Sequence, residues 1–133
     1  MELKRVVVTG LGAVTPLGLN VDETWEALLN GVSGAGPITH FDASQFKTQF
    51  ACEVKNFDPT LYLDKKEVRK FDRYAQFAVA AAKEAVGDSA LDLEKVDKNR
   101  VGVIFAAGIG GIRTFEEEVG GYFTLSLIHI SEP

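Results

Sequence analysis

Val6-Val7-Val8-Thr9, opened by Arg5 and closed by Gly10-Leu11-Gly12, is an unbroken β-branched run that constrains the fold more than any other feature. A strand without polar alternation belongs inside a sheet covered on both faces, as in parallel sheets. Arg100 to Ala107 is a second such run, carrying Val101, Val103, Ile104 and Phe105 and ending in Gly108-Ile109-Gly110-Gly111. Helical patterns lie between them. Asn20 stands three residues before Glu23, Val21, Trp25, Leu28, Leu29 and Val32 recur at helical spacing, and Gly31 provides a stop. Phe50 to Val54 reads as a short strand. Asp64 and Glu67 have capping-box spacing and open one long helix, striped by Val68, Phe71, Ala75, Ala78, Ala82 and Ala85 and ended by Gly87. Its Ala78 to Ala82 stretch is apolar on nearly every side and is expected to be deeply buried. A further helix follows Gly111 and runs through Glu118. This order of elements predicts an α/β fold with a largely parallel sheet.

The bulk properties narrow the function classes. A chain of 133 residues fits one domain with a real core, and 46% hydrophobic with 25% charged residues excludes wholesale disorder. No apolar stretch is long enough to span a bilayer, and the N-terminus lacks the layout of a signal peptide. A single cysteine forms no internal disulfide and suits a reducing compartment, the cytoplasm. A net charge of −5 argues against a general nucleic-acid binder, because polyanions attract basic proteins.

The candidate chemistry is sparse. Gly10 and Gly12 begin a dinucleotide-type loop, but Thr15 occupies the third glycine position and Pro16 follows. The Gly108 to Arg113 loop lacks the Gly-Lys-Ser/Thr ending of a P-loop. Both loops read as tight turns in which glycine allows close backbone approach. Cys52 lies in an apolar segment beside Glu53, whose charge opposes a thiolate, so it reads as a small buried hydrophobe. His40 reads as a loop residue, and His40, His129 and Cys52 lack metal-ligand spacing.

The basic cluster is more informative. Lys66, Arg69, Lys70 and Arg73 stand at i, i+3, i+4 and i+7, which places them on one face of the long helix. Cations in the first turns oppose the helix dipole. Either the patch receives an acidic partner or a phosphate, or it is a solvated helix end moderated by Asp64, Glu67 and Asp72. The residues alone leave both open.

Val6-Val7-Val8-Thr9-Gly10-Leu11-Gly12-Ala13-Val14-Thr15-Pro16-Leu17-Gly18 resembles the opening of the β-ketoacyl-acyl-carrier-protein synthases, in particular the elongating type II branch. The resemblance continues through Thr24 to Gly31, Ile38 to Asp42, Phe50 to Val54, Lys66 to Asp72 and Gly108 to Gly111, and so covers nearly all of Met1 to Thr124. It implies the thiolase-like fold, a layered αβαβα arrangement of which this chain would hold an incomplete N-terminal portion. It also implies a homodimer, no cofactor and no metal. The implied chemistry is transfer of an acyl chain from acyl carrier protein to a cysteine, then condensation with malonyl carrier protein and loss of carbon dioxide.

The family's nucleophilic cysteine motif and its two histidine motifs do not occur in this chain, so no catalytic residue is assigned. The resemblance gives Lys66, Arg69 and Lys70 the role of docking the acidic carrier protein. It gives Ile109 the role of gating the acyl pocket. Leu125 to Pro133 departs from the family and resembles a translated sequencing adapter, so residues 1–124 are expected to be family sequence and 125–133 a non-native tail, with no function for His129. Three other readings stand beside a fatty-acid condensing enzyme. They are a polyketide ketosynthase or its chain-length partner, a nucleotide-binding oxidoreductase domain, and a non-catalytic module that binds carrier protein.

Overall fold

Local capping chemistry sets where the helices begin. The computed structural model describes residues 4–124. In α1 (Val21–Leu29) the Asn20 side chain accepts the Glu23 N–H at 2.8 Å, as expected of an N-cap. Glu23 in turn accepts the Leu19 N–H at 2.8 Å. β1 (Gly36–Pro37) and β2 (Phe50–Ala51) pair antiparallel, Gly36 opposite Ala51 and Pro37 opposite Phe50. In α2 (Lys65–Lys70) the Asp64 carboxylate accepts the Lys66 and Glu67 N–H groups at 2.8 Å, and Glu67 reaches back to the Asp64 N–H at 3.1 Å. This is the reciprocal capping box expected from the sequence. α3 (Arg73–Asp88) and α4 (Ile112–Thr124) complete the helices.

Packing centres on α3. Phe57, Leu63, Gln76 and Ala80 are buried along it. Phe57 stacks on Tyr62 at 5.8 Å and meets Phe77 edge-on at 4.8 Å. On the other side the N-terminal segment is fastened through its own backbone. Asp88 accepts the Leu11 N–H at 2.8 Å, and Glu84 accepts those of Ala13 and Val21 at 2.9 and 2.7 Å. A Cβ at Gly10 would overlap the Ala85 carbonyl, and one at Gly12 the Ala81 carbonyl, so these glycines let the segment lie directly against the helix.

The expected single long helix is two. Phe71 and Asp72 are extended (φ −99°, ψ 129° and φ −60°, ψ 155°). The Gln76 amide donates to the Val68 and Phe71 carbonyls at 3.0 and 2.8 Å, while the Asp72 carbonyl accepts from Ala75 and Gln76. The end of α2 is thus satisfied by a side chain instead of by another helical turn. Within Ala78 to Ala82 only Ala80 is fully buried and its neighbours are half-buried, less than expected.

The two strand expectations also change. Neither Arg5 to Thr9 nor Arg100 to Ala107 joins a ladder, and the sheet among the described residues is the antiparallel pair β1–β2. Val6 is 89% and Ile104 95% exposed. A strand becomes one by pairing, and a strand buried on both faces also needs two covering layers. The described residues supply neither. The accessible surface of the chain is 11506 Å². A compact monomer of this length would expose roughly 6,800 Å². The tail from residue 125 to 133, with His129, lies outside the described residues.

Candidate functional site

α2 carries the basic residues, and its short length changes their electrostatics. Because the helix stops at Lys70, Arg69 and Lys70 lie in its last turn, where the dipole favours cations. The expected opposition to the dipole over the whole cluster therefore does not hold. Arg73 also leaves the cluster, because it begins α3. Its guanidinium lies 5.8 Å from the Phe57 ring and 5.3 Å from the Phe77 ring and donates to the Val54 carbonyl at 3.5 Å. Lys66, Arg69 and Lys70 remain together and exposed. Among the described residues none of the three forms an ion pair. Gln76, whose role the sequence did not disclose, fixes the angle at which α2 presents them.

Ile109 is 77% exposed in the glycine loop ahead of α4. Gly110 beside it has φ 77° and lies against the Tyr74 ring. The loop meets the α2–α3 elbow at Asp72, whose carboxylate accepts the Thr114 hydroxyl and sits against the backbone of Gly111. A cleft of about 220 Å³ runs between these groups, lined by Asp72, Tyr74, Gly110 and Arg113 among others. Arg113 is paired with Glu117 at 2.7 Å, and this carboxylate raises the guanidinium above its ordinary range. Asp72 and Thr114 were missed as a pair because they stand 42 positions apart. The available sign was an Asp inside an unbroken helical pattern, a residue type that favours N-caps over helix interiors.

The other candidates separate from chemistry. Cys52 is exposed, not buried as expected, because β2 ends at Ala51 and the next two residues, Glu53 and Val54, are the half-buried ones while Cys52 faces outward. Its neighbour Glu53 accepts the Thr39 hydroxyl at 2.7 Å and the Thr39 N–H at 2.9 Å, with His40 at 3.9 Å. The Thr39 hydroxyl first, then its N–H, and more weakly the His40 charge, hold this carboxyl below the usual glutamate range. His40 is a loop residue, as expected, and no group of His, Cys, Asp and Glu suited to a metal occurs among the described residues. At the first glycine loop the Leu11 and Ala13 N–H groups are taken by Asp88 and Glu84. A pyrophosphate would meet those carboxylates instead of free donors, which removes the nucleotide reading.

Comparison with known proteins agrees with this geometry. The family described as beta-ketoacyl synthase, N-terminal domain, matches residues 3–126. A 3-oxoacyl-(acyl-carrier-protein) synthase 2 of Coxiella burnetii is 50% identical over 124 residues, 93% of this chain and 30% of the relative. The protein of the same name from Synechocystis sp. is 45% identical over 118 residues, 89% of this chain and 28% of the relative. The chain thus spans under a third of the length of these curated relatives. Among solved structures, the ishigamide ketosynthase/chain length factor superposes with a TM-score of 0.61 at 39% identity, covering 68% of this chain and 22% of that one. A type II PKS acyl-carrier protein in complex with its ketosynthase bound to the hexaketide gives 0.73 at 28% identity, covering 92% and 31%. The fold is therefore the N-terminal portion of the thiolase-like α/β architecture. The chain belongs to the β-ketoacyl synthase family, matching its N-terminal domain.

Proposed function

We propose that this chain is part of a 3-oxoacyl-(acyl-carrier-protein) synthase that elongates fatty acids by decarboxylating Claisen condensation. In that reaction a cysteine thiolate takes the acyl group from the carrier thioester and releases the carrier thiol. Malonyl carrier protein then loses carbon dioxide, and the resulting enolate carbon bonds to the acyl carbonyl and expels the cysteine sulfur. The nucleophile and the two histidine motifs are absent from these residues, so the 133-residue chain alone is expected to be inactive. The whole enzyme is read as a cytoplasmic homodimer without a cofactor, and residues 125–133 as foreign to it, the family match itself ending two residues into that tail.

The observation that carries this reading is the trio Lys66, Arg69 and Lys70. They are exposed, have no ion-pair partner among the described residues, and stand on a helix anchored at both ends. Such a patch, on a chain of net charge −5, suits an acidic protein such as acyl carrier protein. The test is K66E/R69E/K70E in the full-length enzyme. Turnover of acyl-carrier substrates should fall, whereas small thioesters, which need no docked carrier, should be turned over nearly as before. Equal losses on both substrate types would contradict a docking role.

The solved structures support a second reading, a polyketide ketosynthase or its chain-length partner. Identities of 45–50% to 3-oxoacyl synthases against 28–39% to these structures favour the first.

A further inference from the structure

Asp72 occupies the N-cap position of α3 with N-cap backbone geometry, yet its side chain makes no capping bond. Asp is a favoured N-cap because its carboxylate can satisfy the free N–H groups of the first turn. Here the carboxylate turns away from α3, accepts the Thr114 hydroxyl of α4 and packs against Gly111. A Cβ at Gly111 would run into that carboxylate, so the close approach depends on glycine at this position. On the other side of the same elbow, Gln76 holds the Val68 and Phe71 carbonyls and so fixes α2 to α3. Asp72 therefore lies between the helix that carries Lys66, Arg69 and Lys70 and the loop that carries Ile109.

The loop is otherwise lightly held. Among the described residues its one hydrogen bond is the Gly111 carbonyl to the Phe115 N–H at 3.0 Å, within the first turn of α4. Ile109 is exposed and Gly110 has positive φ. A movement of the elbow reaches this segment through two contacts, the Tyr74 ring against Gly110 and the Asp72 carboxylate against Gly111, and of these the Asp72 carboxylate alone also bonds α4, through Thr114.

We infer that Asp72 is a positioning residue that couples α2 to the Gly108–Gly111 loop, so that a protein docked on α2 changes the state of the loop bearing Ile109. This rests on the docking role proposed for α2. The coupling needs only a differential contact with two loop arrangements, and couplings between sites typically change equilibria by about 5- to 150-fold.

Hydrogen exchange on the full-length enzyme, with and without holo acyl carrier protein, tests it. In the parent enzyme the carrier should slow exchange across residues 65–71 and change exchange across 109–115. Thr114→Val removes the hydroxyl while keeping the side-chain shape. It should preserve the protection of α2 and shrink the loop response by about 3-fold or more. Thr114→Ser, which restores the hydroxyl, should restore the response, and Asp72→Ala should repeat the loss. Retained protection at α2 also shows that a variant is folded there. A protected α2 with a loop response that is absent, or identical in parent and Thr114→Val, overturns the coupling and leaves the docking role standing. No protection of α2 in the parent enzyme overturns the docking role and the coupling with it.

Discussion

Glu84 of α3 caps α1 from outside, accepting the N–H of Val21, the first residue of that helix, at 2.7 Å. Its second oxygen takes the Ala13 N–H at 2.9 Å, so one carboxylate satisfies two backbone donors that no helix or ladder would use. Bonds to a charged acceptor contribute more than neutral ones. In the full-length enzyme Glu84→Ala should cost about 2 kcal/mol of stability. Glu84→Gln should recover only part of it, because the amide turns one acceptor into a donor facing an N–H. Chemical denaturation measures both.

Gly12→Ala addresses the same contact from the opposite side. The added methyl meets the Ala81 carbonyl, which belongs to the helix backbone and has little room to yield. The expected cost is about 1–3 kcal/mol. A neutral substitution would show that the N-terminal segment does not lie against α3.

Glu53 gives a pH dependence with a defined sign. Its carboxyl is held below the usual glutamate range by the Thr39 hydroxyl, then by the Thr39 N–H and the nearby His40. The folded value is lower than the unfolded one, so the stabilisation is complete above the unfolded value and is lost as pH falls through the folded one. Thr39→Val should raise the Glu53 midpoint toward the ordinary range in an NMR titration of the side-chain carboxyl. An unchanged midpoint would rule out the hydroxyl as the main cause.

The isolated 133-residue chain should bind hydrophobic dyes and self-associate. Val8, Val103, Ile104 and Phe105 are 80%, 78%, 95% and 61% exposed, in extended runs with no ladder partner among the described residues. Apolar, unpaired extended backbone is a template for association between chains. Light scattering checks this. A monodisperse monomer with a sharp cooperative transition would contradict it.

These cases show which features the sequence discloses. The Asn20 cap and the Asp64–Glu67 capping box are legible because donor and acceptor lie within three residues. The α2–α3 break at Phe71 was hidden, because the apolar stripe runs through it and the bonds that stabilise it come from Gln76, on the far side of the break. The runs at Arg5 and Arg100 have strand composition, but pairing is a property of partners, and composition cannot supply a partner. The candidate site is legible in the same uneven way. The spacing of Lys66, Arg69 and Lys70 shows them as a cluster, whereas Arg73 has the same spacing but belongs to α3 and lies against the Phe57 and Phe77 rings.

The most direct test of the account is the association rate of holo acyl carrier protein with the full-length enzyme, measured across ionic strength for the parent and for K66E/R69E/K70E. Exposed charges act chiefly on encounter, and salt screens them over about 10 Å at 0.1 M. The parent rate should fall steeply with added salt. The variant should start about 10-fold or more slower at low salt and lose most of the salt dependence. Equal rates with equal salt slopes in the two proteins would contradict it.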